Sequence, residues 1–406
     1  MADFLDRVRT AGALPWLGVA WLAGPVPGFG ARGVTGQPVG ELWWWHLAAG
    51  VLVLLAVADA VRAGEVAARI DATALRMWAT GRRWRTVVVL AWLVLAVLAG
   101  AQVAQGTASW GDVLTFLAAA AVLGLAPRRT VGGAALGHVA VGTVLLGVVT
   151  LAVAVLTRDA LDDPFAYYRF KQGMQAPVAA HNVLAGFLLA GVPAVALASV
   201  RRPRRWWPLL LLTGLALAAT LSRGAVVAGV VAVAVAWLLR DRTIALRVGA
   251  AVGVGALGIA VALGTLGAAM PDAADQTSVV ARVQLWEAAL DAARDAPATG
   301  VGLDGFLAAT QERGLAIPHE HAHDLPLHAL ATLGVPGLLA VAGVWLGLAA
   351  GAAQLLDRDR RTVVLVGLAG LAALALVDEV ALRPATVGLL ALLGTAVAAP
   401  RDPFGP

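Results

Sequence analysis

Residues 319–350, HEHAHDLPLHALATLGVPGLLAVAGVWLGLAA, run from a histidine-rich segment into an almost unbroken apolar stretch. A bilayer core of about 30 Å needs about 20 apolar residues for one spanning helix. The apolar part, residues 326–350, is therefore predicted to cross a membrane. The rest of the chain has the same character, because 60% of its 406 residues are hydrophobic and its mean hydropathy is +0.81. A soluble chain could not cover that much apolar surface.

Apolar stretches of similar length recur along the chain and predict an all-α polytopic membrane protein with about 12 transmembrane helices. The predicted spans are residues 11–28, 42–61, 86–104, 110–126, 131–156, 181–200, 206–221, 224–239, 246–267, 326–350, 362–377 and 386–400. They form one predicted transmembrane domain over residues 1–406, with a helical outer loop at residues 268–325 between helices 9 and 10. A signal peptide is the alternative for the first span, but the mixed charges of residues 3–9 favour an uncleaved helix.

The basic residues predict the orientation of these spans. With both termini in the cytoplasm, the outer segments hold only nine of the 30 basic residues, namely Arg32, Arg158, Arg169, Lys171, Arg223, Arg282, Arg294, Arg313 and Arg383. This positive-inside bias places the loop at residues 268–325 outside. The net charge of +5 then reflects contact with membrane lipids and requires no nucleic-acid partner. The chain has no cysteine, which excludes disulfides and thiol catalysis.

The outer loop is predicted to contain two helices. The first, over residues 279–293, is amphipathic, and its apolar positions are Val279, Val283, Trp286 and Leu290. Ser278 is its predicted N-cap, and Pro297 marks a stop. A turn-rich segment at 300–305 follows, and a short second helix is predicted from residue 304 to Gly314.

Two outer arginines are candidate anion ligands. Arg223, in Ser222-Arg223-Gly224, either snorkels to the interface or binds an anion where a helix N-terminus already favours one. Anion binding is the preferred interpretation, because a cation at a helix N-terminus is unfavourable unless an anion neutralises it. Arg282 shares a helix face with Trp286 and could meet a phosphate, or it could form an exposed ion pair worth about 0–1 kcal/mol.

Three interpretations are open for the segment His319-Glu320-His321-Ala322-His323-Asp324. It is a solvated loop, a metal site, or a loop in which one histidine acts as general base. The metal is disfavoured, because no further histidine or cysteine outside the cluster is an obvious ligand. Asp324 is predicted to cap the following span or to orient a histidine. The pair His181-Asn182 is either an interfacial cap or part of the same cavity.

An ordered set of motifs resembles the O-antigen ligase and O-antigen polymerase superfamily. The set comprises His181-Asn182, Ser222-Arg223-Gly224-Ala225, Arg282 with Trp286, Gly300-Val301-Gly302, His321-Ala322-His323-Asp324 and Leu333-Gly334-Val335. It covers about residues 181–345, and the family resemblance also implies a twelve-span topology. The family usually has asparagine after the key histidine, where this chain has Asp324.

The resemblance implies a membrane glycosyltransferase at the outer face of the bacterial inner membrane. It would move a glycan from a polyprenyl (undecaprenyl) diphosphate to an acceptor hydroxyl, on a lipid-A core or a growing polysaccharide. His323 would be the catalytic base, and Arg223 and Arg282 would hold the diphosphate. The possible supporting residues are His321, Asp324, Ser222, His181, Asn182 and Trp286.

Because arginines can neutralise a diphosphate leaving group, the implied transfer needs no metal and no cofactor, and a single displacement inverts the anomeric centre. The alternatives are a polysaccharide polymerase of the same superfamily and a non-enzymatic transporter or flippase for an anionic lipid-linked sugar.

Overall fold

The computed structural model describes residues 83–125, 132–156, 181–267, 273–315, 319–355 and 357–377, together with residues 387, 389–391, 393, 394 and 397. Within these ranges all regular secondary structure is helical, which confirms the all-α prediction for this part of the chain. The helices are α1 (Arg83–Val103), α2 (Trp110–Leu125), α3 (Gly132–Leu156), α4 (His181–Arg201), α5 (Pro203–Ala219), α6 (Arg223–Leu238), α7 (Arg242–Gly267), α8 (Ala273–Asp295), α9 (Phe306–Glu312), α10 (Leu325–Ala353) and α11 (Arg358–Ala375).

Each predicted span that lies within the described residues coincides with a helix, with ends shifted by only a few residues. Among the described residues, four helices are long and apolar enough to cross a membrane, over Arg83–Val103, Leu184–Arg201, Arg242–Ala262 and Leu325–Ala353. They support a membrane location, while the count of about 12 spans stays a prediction. The predicted spans 11–28 and 42–61 lie outside the described residues, and 386–400 lies mostly outside them.

Helix α4 lies at the centre of the bundle. Its apolar span is 83% buried inside the protein, whereas the spans of α1 and α7 are 39% buried. It packs against α3, α5, α6, α7 and α11, while α10 packs against α1, α8 and α11. Large apolar side chains such as Val97 on α1 and Leu246 on α7 remain exposed. Lipid would cover such outward-facing apolar surface.

One end of the bundle, termed the arginine end, joins several helix termini through basic side chains. It is defined by Arg201, Arg240, Arg247, Arg358 and Asp359. The Arg201 guanidinium lies 3.0 Å from the Asp359 carboxylate, which connects the end of α4 with the start of α11. Arg358 donates a 2.6 Å hydrogen bond to the carbonyl of Arg240, just beyond α6. These residues lie in predicted inner segments or, for Arg247, at the inner end of a predicted span, and the structure brings them to one end of the bundle.

The opposite end of the bundle is termed the histidine end. Helices α4, α6 and α10 finish at or near the arginine end, so their first residues, His181, Arg223 and Leu325, lie at the histidine end. Gly224 at the start of α6 packs beside Leu374 at the end of α11, as an antiparallel pair requires. Three helix N-termini, each carrying partial positive charge, therefore lie at one end of the protein.

The predicted outer loop does contain two helices, but the first begins earlier than expected. Helix α8 starts at Ala273, so the prediction of Ser278 as its N-cap was wrong. Good helix formers such as Ala273 and Ala274 extend the helix past that point. Its end at Asp295, two residues before Pro297, agrees with the predicted stop. The short helix α9 is confirmed, and Gly314 after it has φ +67°, the conformation that ends many helices.

The face of α8 that packs on the protein also differs from the predicted one. Among its described side chains, the buried positions are Leu285, Ala288, Ala289, Ala292 and Ala293. Val283 and Leu290, two residues of the predicted apolar stripe, are exposed. The small alanine side chains let α8 approach α10 closely, and this packing outweighs the larger side chains of the other face.

Candidate functional site

The histidine loop, residues 319–324, precedes α10 and is held by backbone contacts. The Thr310 hydroxyl of α9 accepts a hydrogen bond from the His319 amide at 3.3 Å. Ala322 is fully buried in a small core with Phe306 and Leu285, which anchors the middle of the loop. His323 follows with φ +52°, a left-handed conformation that is uncommon for a residue other than glycine.

Four imidazoles meet at this loop. The ring centroids of His319 and His323 are 4.5 Å apart, and those of His319 and His321 are 6.0 Å apart. The His321 ring lies 5.1 Å from that of His328, which is in the first turn of α10. His328 is buried and also meets Phe306 edge-on at 5.6 Å. The loop and the start of α10 thus present one cluster of rings.

The cluster differs in exposure from ring to ring. His328 is only 4% exposed, whereas His319, His321 and His323 are half-buried. His321 Nε2 lies 3.7 Å from the carboxylate of Glu320. Within the described ranges, no group of three or more histidine, cysteine, aspartate or glutamate side chains is arranged to hold a metal ion. Of the half-buried rings, His323 is the one in the left-handed backbone position.

Asp324 has the capping role predicted for it. Its Oδ1 accepts a 2.8 Å hydrogen bond from the Leu327 amide, so it is the N-cap of α10. Burial raises the pKa of the Asp324 carboxyl, and the bond from Leu327 opposes that shift. Aspartate and asparagine are about equally good N-caps, because either supplies the side-chain oxygen. The departure from the family's asparagine therefore leaves this capping interaction intact.

A group of carboxylates lies beside the histidine loop. Burial raises the pKa of Asp304, and the charges of Asp112 and Glu320 raise it further. Asp112 is itself fixed at the start of α2, where its carboxylate accepts hydrogen bonds from the amide and hydroxyl of Ser109. The histidine end therefore combines imidazoles and carboxylates next to helix N-termini.

Helix α10 is broken close to this cluster. Gly334 has φ +67°, and Pro336 cannot donate the helical hydrogen bond to the carbonyl of Thr332. A Cβ at Gly334 would lie 2.6 Å from the carbonyl oxygen of Pro297, so the break and the incoming loop fit only around glycine. The break leaves the carbonyls of Ala331 and Thr332 in need of other donors.

The glycine loop, residues 297–305, supplies those donors. The Val301 amide donates to the Ala331 carbonyl at 2.9 Å, and the Gly302 amide donates to the Thr332 carbonyl at 3.1 Å. In return the Val335 amide donates to the carbonyl of Pro297 at 2.8 Å. Two motifs read separately from the sequence, one around Gly300 to Gly302 and one around Gly334, therefore form a single structural unit.

Gln102, at the end of α1, completes this unit and was not predicted from the sequence. Its side chain is only 2% exposed. Its amide nitrogen donates to the carbonyls of Thr299 at 2.8 Å and Thr332 at 2.7 Å. Its amide oxygen accepts from the Leu303 amide at 3.1 Å. A single glutamine at the end of an apolar segment carries no sequence signal that would reveal partners about 200 positions away.

Arg223 is the first residue of α6, and its side chain is exposed at the histidine end. Ser222 before it is the N-cap, with its hydroxyl accepting from the Ala225 amide at 3.3 Å. Leu221 has φ +52°, so a buried leucine holds a left-handed conformation directly before this site. Among the described residues, the only other non-glycine residues with positive φ are Arg240 and His323. Strained backbone of this kind is concentrated at functional sites.

Arg282 and Trp286 share α8, which packs against α10 and α9. Leu285, between them, belongs to the same small core as Ala322 of the histidine loop, which places this part of α8 beside the loop. The Trp286 indole nitrogen is buried and has no hydrogen-bond partner within the described part of the chain. Further along α8, the Arg294 guanidinium lies 2.6 Å from the carboxylate of Asp291.

The structure therefore brings four histidines together and places α8, the helix that carries Arg282, beside the histidine loop. The N-terminus of α4, with His181 and Asn182, and that of α6, with Arg223, lie at the same end of the bundle. Convergence of Arg223, Arg282 and His323 on one ligand stays a prediction.

Comparison with known families supports the resemblance drawn from the motifs. Residues 208–342, about a third of the 406-residue chain, match the family model for O-antigen ligase. This match confirms the resemblance to the O-antigen ligase superfamily, and it contains Arg223, Arg282 and the whole histidine loop. Gln102 and the His181-Asn182 pair lie outside it. No curated protein matches the chain.

Proposed function

We propose that this membrane protein, similar to O-antigen ligases over residues 208–342, transfers a glycan from a polyprenyl diphosphate to an acceptor hydroxyl. The observation that carries the proposal is the cluster of histidines beside α8, at the bundle end where α4, α6 and α10 begin. Helix N-termini and arginines favour a dianionic group there, and an imidazole can act as a base.

In the proposed reaction, the acceptor oxygen attacks the sugar C1 atom while the bond from C1 to the diphosphate oxygen breaks. The acceptor hydroxyl proton passes to His323, and the bonding electrons leave with the diphosphate. Arg223 and Arg282 neutralise the charge that grows on the leaving group, which arginine does well through paired hydrogen bonds. The step is a single displacement that inverts the anomeric centre and uses no metal.

The supporting residues have distinct proposed roles. Ser222 caps α6 and so fixes Arg223, which follows it. Asp324 caps α10 and so fixes His323, which precedes it. His321 packs against the ring of His328 and is proposed to steady the loop that carries His323. The indole N–H of Trp286 offers a further hydrogen-bond donor next to Arg282. His181 and Asn182 lie at the same end and are proposed to line the donor site.

The proposed location is the bacterial inner membrane, with both termini cytoplasmic and the histidine end outside. The arginine end supports this orientation, because arginines are enriched at cytoplasmic helix ends. The lipid tail of the donor would then lie against the apolar helix faces while its diphosphate reaches the histidine end.

The decisive experiment is transfer by the purified protein. Protein in lipid nanodiscs is incubated with undecaprenyl-diphosphate glycan and, in separate reactions, with lipid-A core or with a second donor molecule. A lipid-A core product supports a ligase, and an elongated lipid-linked product supports a polymerase. Movement of intact donor across a vesicle membrane with no new glycosidic bond would instead identify a flippase and refute the proposed reaction. Loss of transfer in a chelator would refute the metal-free step.

A further inference from the structure

The break in α10 depends on a residue that lies outside the segment similar to O-antigen ligase. We term the hydrogen-bonded group of Gln102, Thr299, Leu303 and Thr332 the Gln102 clamp. Gln102 belongs to α1, about a hundred residues before residue 208, where the family match begins. Its amide uses both of its functions, since the nitrogen donates twice and the oxygen accepts once.

The Gln102 clamp connects the bundle to the histidine cluster through continuous contacts. Thr332 donates from its hydroxyl to the carbonyl of His328 at 2.7 Å. The His328 ring is 5.1 Å from that of His321. His321 is joined to His319, whose Nδ1 accepts from the His321 amide at 3.3 Å, and the His319 ring lies 4.5 Å from that of His323. A shift of the α10 break would therefore move the rings.

A second contact, made by the chain just beyond α1, supports the glycine loop. The Thr107 carbonyl, just beyond α1, accepts from the Asp304 amide at 2.9 Å. The Thr107 amide in turn donates to the Gln102 carbonyl at 3.0 Å. The end of α1 thus holds the glycine loop at two points, and both attachments depend on the position of residue 102.

We propose that Gln102 is a positioning residue, which holds the broken α10 and the glycine loop so that His323 meets the acceptor hydroxyl. The expected effect of Gln102 on turnover rests on the proposed transfer reaction. Its expected effect on the order of the glycine loop does not depend on that reaction. Displacement of a reacting group by about 1 Å can lower a rate by about a hundredfold. Loss of the Gln102 clamp should therefore lower kcat while leaving donor binding at the arginines largely unchanged.

Three substitutions test the clamp against a matched control. Gln102→Leu removes all three hydrogen bonds at similar volume. Gln102→Glu keeps the acceptor for Leu303 but turns an oxygen towards two carbonyl oxygens. Gln102→Asn keeps both functions on a shorter side chain. Gln105→Leu is the control, because Gln105 lies one turn further along and its side chain is exposed.

Two measurements are made on each full-length variant in nanodiscs. Hydrogen exchange followed by mass spectrometry should show the amides of residues 299–305 and 331–335 exchanging at least about tenfold faster in Gln102→Leu and Gln102→Glu, with α6 and α7 unchanged. Steady-state transfer should show kcat lowered roughly ten- to a hundredfold, with the KM for undecaprenyl-diphosphate glycan within about twofold of wild type. Gln102→Asn should give exchange rates and kcat values between those of wild type and Gln102→Leu. Gln105→Leu should match wild type in both measurements.

If the amide exchange rates and the kcat of Gln102→Leu and Gln102→Glu both stay within about twofold of wild type, the inference is overturned. So would faster local exchange with unchanged kcat, since Gln102 would then only stabilise the fold. If Gln102→Leu fails to fold, Gln102→Glu and Gln102→Asn are judged by the same outcomes. If the wild type itself transfers no glycan, the proposed function fails. The exchange data then decide separately whether the clamp orders the loop.

Discussion

The two ends of the bundle use polar groups in different ways. At the arginine end, the ion pair between Arg201 and Asp359 is exposed, since the two side chains are 62% and 44% exposed. At the histidine end, Gln102 is buried and all three hydrogen bonds of its side chain are made to backbone groups. Exposed ion pairs contribute about 0–1 kcal/mol, while a buried polar group left without a partner costs about 1–3 kcal/mol.

This difference indicates where changes should matter. We propose that the arginine end orients helices in a bilayer, and we expect it to tolerate the loss of one exposed contact, because water and lipid headgroups can replace it. The histidine end fixes a loop in a defined conformation, so the loss of a contact there has no replacement. Charge alone therefore does not mark a site, since the end with more arginine contacts is the one we expect to matter less.

The largest effect is expected from the proposed base. His323→Ala should lower transfer by roughly 10²- to 10⁴-fold, because removal of a general base has effects of that size. Asparagine tolerates the left-handed conformation found at this position, so His323→Asn should fold like wild type and be equally inactive. Initial rates of glycan transfer by purified variants measure this.

The arginine end supplies the control for that result. Arg201→Ala should retain transfer within about twofold, since its ion pair with Asp359 is exposed. Substantial transfer by both His323 variants would remove the catalytic role. A larger loss in Arg201→Ala than in His323→Ala would reverse the ranking of the two ends.

The next effect is on stability, at the break in α10. Gly334→Ala should destabilise the protein by about 1–3 kcal/mol, because the new Cβ enters a left-handed position against the Pro297 carbonyl. Gly253→Ala on α7 is the matched control, since nothing lies within 4 Å of its Cβ position and its helix is regular. Thermal unfolding of both variants in detergent tests this, and equal midpoints would contradict the strain at Gly334.

A smaller effect is expected at Asp324. Asp324→Ala should cost about 0.5–2 kcal/mol, because the N-cap of α10 is lost. Asp324→Asn keeps the capping oxygen and removes the charge. Since burial raises the pKa of Asp324, its ionised form is disfavoured in the folded state, and wild-type stability declines as pH rises from 3.8 through the raised pKa.

Asp324→Asn should therefore be at least as stable as wild type near neutral pH, and this advantage should vanish below pH 3.8. Midpoints of thermal unfolding across the acid range measure the difference. An asparagine variant as unstable as the alanine variant would show that the carboxylate has a role beyond capping.

The smallest effect is expected for the ion pair of the arginine end. Arg201→Ala and Asp359→Ala should each change stability by about 0–1 kcal/mol, and the effect should shrink further at high salt. Unfolding midpoints at low and high ionic strength test this. A salt-independent loss of several kcal/mol would mean that the two ends are stabilised alike.

The sequence predicted the helices better than the contacts between them. Hydropathy located α1 to α7, α10 and α11, because each of these helices coincides with a long apolar run in the sequence. The cap at Asp324 was also predicted, since capping depends on neighbours in sequence. The prediction of Ser278 as a cap failed because α8 extends to Ala273. The buried face of α8 was misjudged because it consists mainly of alanines.

The site was predictable only in part for the same reason. The histidines that cluster lie within ten positions of one another, so their proximity follows from a short loop and one helical turn. Gln102 meets residues about 200 positions away, and only packing of α1 against α10 brings them together. The family match does not extend to Gln102 and gives no indication of it.

The central claim is that Arg223, Arg282 and His323 act on one diphosphate-linked sugar. Electron cryo-microscopy of the wild-type protein with a non-transferable C1-phosphonate analogue of the undecaprenyl-diphosphate glycan tests it directly. We predict both guanidinium groups about 2.7–3.2 Å from the phosphorus-bound oxygens and the His323 ring on the opposite side of C1 from the leaving group. A headgroup bound away from either arginine, or a His323 ring beyond reach of an acceptor at C1, would contradict the account.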